Sequence, residues 1–285
     1  MNIETAILQV YGPDRKGLVA GISGFLFDHG ANILHADEHT DAPAGMFFQR
    51  IQFELKGMDI KFEELEPAIR PLARKLNMNI QLLSGRTKKR MAVLTSKSDH
   101  CLLDILLRAR AGELNADIAL VAGNHDIHAG LVGALVIPFH FFPMPPETKA
   151  VQEKKLLELL IREKVELVVL ARYMQILGRK FIAAFPNRII NIHHSFLPAF
   201  SGSRPYQQAY HRGVKLIGAT SHYVTEELDA GPIIEQETVR VSHGDSIEDM
   251  ERKGRDLEKV VLARAVRFHL EDRILVYANK TVVFE

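Results

Sequence analysis

From residue 90 onward the chain carries nearly uninterrupted apolar runs at 91–94, 118–122, 136–139, 167–170 and 189–192. Helical patterns at 102–111, 147–164 and 178–185 fall between them. A strand that is apolar on both sides must be covered on both faces, which is the condition of a parallel sheet buried between helices. Strand–helix–strand repetition then implies right-handed crossovers and a doubly wound α/β domain. In such a sheet a ligand site belongs outside the carboxyl ends of the strands. Segments 215–224 and 233–241 read as a later strand pair, and 247–270 as a long closing helix.

The first 84 residues follow a different plan. Strand patterns at 3–11, 32–40, 46–55 and 79–83 interleave with helical patterns at 18–27 and 62–76. The order β-α-β-β-α-β is the ferredoxin-like plan. Gly12 to Gly17 forms a turn cluster that opens the first helix, and Gly30 stands where that helix should end. A basic polar run follows without apolar periodicity, so residues 85–89 read as a linker between a domain at 1–84 and one at 90–285.

Composition narrows the function classes. Of 285 residues, 47% are hydrophobic and 25% charged, as in globular domains. Thirty-six Lys and Arg against 35 Asp and Glu leave a net charge of +1, so no global field recruits nucleic acid or an acidic membrane. The single cysteine, Cys101, excludes an internal disulfide framework and a CxxC site. The longest apolar stretch, 129–143, is broken by Pro138 and His140 and falls short of a bilayer span. With no basic-then-apolar leader, a cytoplasmic protein is the expectation. His125-Asp126-x-His128, His140, His222 and His243 build no HExxH and no second spaced ligand pair, so no metal is expected.

The densest polar cluster beside a strand end is Asn191-Ile192-His193-His194-Ser195-Phe196-Leu197-Pro198. Period two puts Asn191 and His193 on one face, an amide and an imidazole side by side, while an extended chain would send His194 the other way. Standing alone, the segment reads equally well as a hydrogen-bonded strand-end turn. In Leu228-Asp229-Ala230-Gly231-Pro232-Ile233-Ile234 an acid precedes a turn into a strand, and alone it reads as a turn residue.

Together these segments resemble the folate-dependent formyltransferase family, with Gly218-Ala219-Thr220 and His222 completing the pattern. The doubled His193-His194, the run Ser195 to Phe200, and Leu170-Ala171-Arg172-Tyr173-Met174-Gln175-Ile176-Leu177 are similar to its hydrolytic branch, the formyltetrahydrofolate deformylases. Gly12-Pro13-Asp14-Arg15-x-Gly17-Leu18-Val19 with Gly30-x-Asn32-Ile33 resembles an ACT domain, the small-molecule sensor that this branch carries. The resemblance implies hydrolysis of 10-formyltetrahydrofolate to tetrahydrofolate and formate, balancing one-carbon pools and supplying formate for purine synthesis. Folate is then substrate, and no cofactor is implied. Asn191 and His193 would hold the oxyanion, where aimed donors give the largest catalytic effect. Asp229 would position and deprotonate water and keep His193 cationic.

Main-chain groups around Val224, Leu228 and Gly231 would hold the pteridine, Gln175, Ile176 and Leu177 would line the same pocket, and His222 would fix the site by hydrogen bonding. His194 would exclude an acceptor, position water or cap the turn. The alternative is a formyltransferase acting on an amine, or a folate-holding regulatory protein without turnover. Against transfer, the loop Thr95-Ser96-Lys97-Ser98-Asp99-His100 has no glycine to cradle an acceptor's phosphate, and it carries an acid. Asp14, Gly17, Asn32 and Ile33 would meet an amino-acid effector such as glycine or methionine, with Gly17 allowing close approach. ACT domains pair their sheets between chains, which implies a homo-oligomer.

Overall fold

The computed structural model describes residues 4–85, 88–199 and 205–285. The chain divides into two compact units. The first holds the chain up to residue 87 together with Glu271–Tyr277 and Val282–Glu285; the second holds Lys88–Leu270 and Ala278–Thr281.

In the first unit β1 (Thr5–Pro13), α1 (Leu18–Asp28), β2 (Asn32–Asp41), β3 (Met46–Glu54), α2 (Phe62–Leu76) and β4 (Asn79–Ser84) follow the expected order. The sheet order is β2-β3-β1-β4, with β1 antiparallel to both of its neighbours. Period-two alternation sends Leu8, Val10, Ile51 and Phe53 to one face, where they pack with Leu18, Ile22, Leu26, Leu65 and Ile69 of the helices. The opposite face of β1 and β3 is covered as well. Phe48 packs there with Leu275, Val282 and Phe284 of a C-terminal ribbon, β12 (Ile274–Tyr277) and β13 (Lys280–Val283). The sequence reading ends at the closing helix and has no such ribbon.

In the second unit the strands are β5 (Lys89–Thr95), β6 (Ala116–Gly123), β7 (Phe139–Phe141), β8 (Leu167–Ala171), β9 (Ile189–His193), β10 (Leu216–Tyr223) and β11 (Ile233–Arg240). The helices are α3 (His100–Ala111), α4 (Ala129–Ala134), α5 (Lys149–Arg162), α6 (Arg179–Ala184), α7 (Pro205–Arg212) and α8 (Ile247–Leu270). Their sheet order is β11-β10-β9-β8-β5-β6-β7. The strands from β9 to β7 in that order are parallel, and β10 and β11 add an antiparallel edge. Wholly buried runs such as Leu167–Ala171 meet Leu156, Leu160 and Phe181 from the covering helices, and Phe185 just past α6. The sheet is doubly wound and mostly parallel, as the apolar runs require.

One strand is displaced. The run at 136–139 was expected to pair, but pairing with β6 begins only at Phe139. Pro138 has no N–H to give, so it contributes only its carbonyl, to Val121, and Val136 sits at φ 60° with its side chain exposed.

Candidate active site

The order of the parallel strands reverses between β8 and β5, and the segments that leave the carboxyl ends of β8 and β9 build a cavity. After β8 the chain turns at Arg172, a non-glycine residue at φ 59°. Residues 172–178 are then pinned from two sides. The Met174 N–H donates to Ser96 Oγ at 2.8 Å, just past β5, and the Gly178 N–H donates to the Glu153 carboxylate of α5 at 3.0 Å. The segment after β9 is braced from β10 and β11. Thr220 Oγ1 donates to the Ser195 carbonyl at 2.9 Å and accepts from the Leu197 N–H, while Gln236 Nε2 donates to the Leu197 carbonyl.

Within this frame β9 carries Asn191 and His193 on one face, and register places His222 of β10 opposite Asn191. His222 Nδ1 lies 2.9 Å from the Tyr223 carbonyl, which can only accept, so Nδ1 is the donor. The His222 Nε2 lone pair can then take one Asn191 amide hydrogen at 3.3 Å, leaving the second for a ligand. Asp229 stands at φ 54°, a left-handed turn that a short polar side chain tolerates. Its Oδ2 lies 3.3 Å from His193 Nδ1 and its Oδ1 3.7 Å from His222 Nε2. Hydrogen bonding from His193 holds the Asp229 carboxyl well below the usual carboxylate range. His193 Nε2 is buried and meets no hydrogen-bond partner among the described residues. The result is a carboxylate–imidazole pair with one ring nitrogen uncommitted, beside an amide with one hydrogen uncommitted.

The cavity has a volume of about 590 Å³. Its wall includes Gln175, Ile176, Leu177, Asn191, His193, His194, Val224, Leu228 and Asp229, all named by the sequence reading. Ile176, Leu228 and also Met174 are more than half exposed, an apolar rim suited to a flat ring. Gly231 is placed differently from the sequence reading. It is buried and does not line the cavity; a Cβ on it would run into the Tyr223 carbonyl, so glycine is needed for that close approach. His194 also departs from expectation. The strand ends at His193 and the chain bends, so the two rings lie together, 5.2 Å between centroids, and both line the cavity. Sequence reasoning did not single out Arg172, which the structure puts on the same wall.

The four residues assigned to an effector lie in the first unit. Gly17 caps α1 at φ 88°, with nothing within 4 Å of where a Cβ would stand. Its requirement within the described residues is the left-handed backbone, and the space beside it is open. Asp14 is exposed and its N–H donates to the Gly45 carbonyl at 2.8 Å, while the N-cap of α1 has no side-chain bond. Asn32 Nδ2 reaches across to Glu54 at 3.1 Å, and Ile33 follows it on β2, half-buried. No helix among the described residues is long and apolar enough to cross a membrane.

A formyl transferase family model matches residues 89–266 and an ACT domain model residues 6–71. The chain is 51% identical to a formyltetrahydrofolate deformylase of Synechocystis sp. over 98% of each chain. It is 50% identical to one of Bacillus subtilis, covering 99% of this chain and 95% of that one. The crystal structure of a formyltetrahydrofolate deformylase from Pseudomonas syringae pv. tomato superposes with a TM-score of 0.97 at 46% identity, covering 100% of this chain and 96% of that one. With both family models in chain order and half the sequence shared end to end, the chain belongs to the formyltetrahydrofolate deformylase family.

Proposed function

We propose that the cavity binds 10-formyltetrahydrofolate and that His193, Asn191 and Asp229 direct water at its formyl carbon. The observation that carries this reading is the His193–Asp229 pair with Nε2 left free at the cavity wall. The pteridine lies between the exposed apolar rim and the 224–229 loop. Asp229 accepts a proton as water adds to the formyl carbon. The oxyanion that forms is met by the free Asn191 N–H and by the Nε2–H of an imidazolium His193 whose Nδ1 faces the Asp229 carboxylate. As the C–N bond breaks, His193 gives its Nε2 proton to N10; Nδ1 keeps its hydrogen toward Asp229, so Asp229 then loses its proton to water and Nε2 regains one from water. Tetrahydrofolate and formic acid leave, and formic acid ionises in solvent. The steps written need no cofactor and no metal.

Hydrolysis is favoured over transfer by the identity to relatives named as deformylases along nearly their whole length. The enzyme balances one-carbon pools and supplies formate for purine synthesis from a cytoplasmic location. An amino acid such as glycine or methionine binds near Asp14, Gly17, Asn32 and Ile33 and tunes turnover, in a homo-oligomer. Incubation of the purified protein with 10-formyltetrahydrofolate and no amine tests the reaction: formate accumulates. Release only after an amine is added would make it a transferase, and indifference of turnover to every common amino acid at millimolar concentration would remove the effector.

A further inference from the structure

Behind the cavity wall, Glu258 of α8 is a carboxylate only 1% exposed in the middle of a helix. Its partners come from three other places in the chain. His100 Nε2 donates to it at 2.8 Å from the start of α3, and Tyr206 Oη donates at 2.9 Å from α7. Arg172 Nε stands 3.4 Å away at the end of β8. Burial opposes the charge, yet the bond from His100 and the nearby Arg172 hold the Glu258 carboxyl below its usual range. Such a buried ionic cluster is a poor way to add stability, because desolvation consumes most of the attraction. Its geometry has another consequence. Arg172 is on the cavity wall, and the Tyr206 ring lies against His194, with 6.0 Å between centroids. His194 therefore has two ring neighbours, His193 and Tyr206, each tilted to it.

We propose that Glu258 is a positioning residue of the hydrolytic site: by gathering Arg172, His100 and Tyr206 it fixes the His194 ring beside His193, where His194 holds the attacking water. This rests on the hydrolytic reading above. Water that gives one hydrogen to Asp229 has a second that needs an acceptor if the lone pair is to face the formyl carbon. An imidazole lone pair supplies one only while the ring is neutral. The charged and titratable groups around His194 are Arg172, Glu258, His193 and Asp229, with the Tyr206 ring tilted beside it. Burial, and then the Arg172 cation, lower its pKa to about 4, so the ring stays neutral at working pH.

A metal reading of the same cluster fails on charge. His100, Cys101 and Glu258 have ligand atoms within 4.8 Å of one another, but the Arg172 cation already stands at Glu258. Burial also pushes the Cys101 thiol far up, away from the thiolate that a metal would take.

A double-mutant cycle on the full chain tests the proposal, with formate release measured at saturating and limiting substrate. Glu258→Gln should lower kcat by about 10- to 100-fold with KM within about twofold, the signature of misplacement without lost binding. In the His194→Ala background the same change should cost less than about twofold more, because the ring it positions is gone. Tyr206→Phe removes one donor and strands no buried charge, so it serves if Glu258→Gln fails to fold. It should lower kcat in the same direction and likewise have no effect once His194 is alanine. Wild-type kcat in the folded variants, or losses that multiply fully in the double variants, would overturn the proposal. Wild-type protein that releases no formate without an amine would instead remove the hydrolytic reading beneath it.

Discussion

The two sheets both bury polar side chains, but they pair them with different partners. In the first unit Gln9 and Arg50 stand opposite one another on β1 and β3, each 3% exposed. Gln9 Nε2 donates to the carbonyls of Asp272 and Ile274, and Arg50 donates to those of Glu271 and Asp272. A main-chain carbonyl neither titrates nor reacts, so these contacts fix the ribbon at any ordinary pH. In the second unit Asp229, His193, His222 and Asn191 pair with one another, and Glu258 pairs with His100, Tyr206 and Arg172. Many of these groups can gain or lose a proton, and His193 keeps one nitrogen free. Burial of a polar group is therefore no mark of chemistry by itself; the partner decides.

The largest effects should separate the two regions. Asp229→Asn preserves size and removes both the base and the charge that favours a cationic His193. Turnover should fall by at least about 10²-fold, with folate binding nearly unchanged. Wild-type formate release by this variant would break the assignment. Arg50→Met should show the opposite pattern. It strands the Glu271 carbonyl and leaves that of Asp272 to Gln9 alone, and loss of bonds from a charged donor costs about 1.5–3 kcal/mol. Chemical denaturation should report that loss, while turnover per folded molecule stays at the wild-type level. A full-strength stability with impaired kcat would place Arg50 on the wrong side of the comparison.

How much of this was legible follows from how local each signal is. Helix α2 occupies the expected residues, Phe62–Leu76, because its apolar period outweighs Pro67 and Pro71. The strand-end face of Asn191 and His193 was legible for the same reason, since period two is a property of five consecutive residues. The ribbon was missed although Ile274–Tyr277 and Lys280–Val283 are β-rich, because four-residue strands are too short to show alternation. Without the ribbon, nothing in β3 tells that Arg50 is buried. Strand 136–139 was misplaced by counting apolar residues across Pro138. Glu258 lies in an amphipathic helix where an acid reads as solvent-facing, and only the fold brings Arg172, His100 and Tyr206 to it. His194 was named for the site, but its orientation was not legible, because the bend that ends β9 has no sequence signature stronger than Ser195 and Pro198.

The smallest effect is a pH slope, and it sharpens the comparison. His194 has its pKa lowered to about 4, by burial first and then by the Arg172 cation. His269 has its pKa lowered to about 3, by burial first and then by Lys89. An unfolded histidine titrates near 6.5. Between about 6.5 and 4 the unfolded chain binds protons at both positions that the folded chain refuses, so stability rises with pH across that window. Below about 4 the folded His194 is protonated too and its share of the slope ends, while the His269 share continues toward about 3. Each histidine contributes at most one proton, about 1.4 kcal/mol per pH unit. Denaturation of wild type from pH 4 to 7 should therefore show a positive slope, and His194→Asn should flatten it by up to that amount. The carbonyl-bound pair is indifferent to this window, so Arg50→Met should shift the whole curve down without changing its slope. An unchanged slope in His194→Asn would mean that His194 is protonated in the folded protein, and a ring in that state has no lone pair for water.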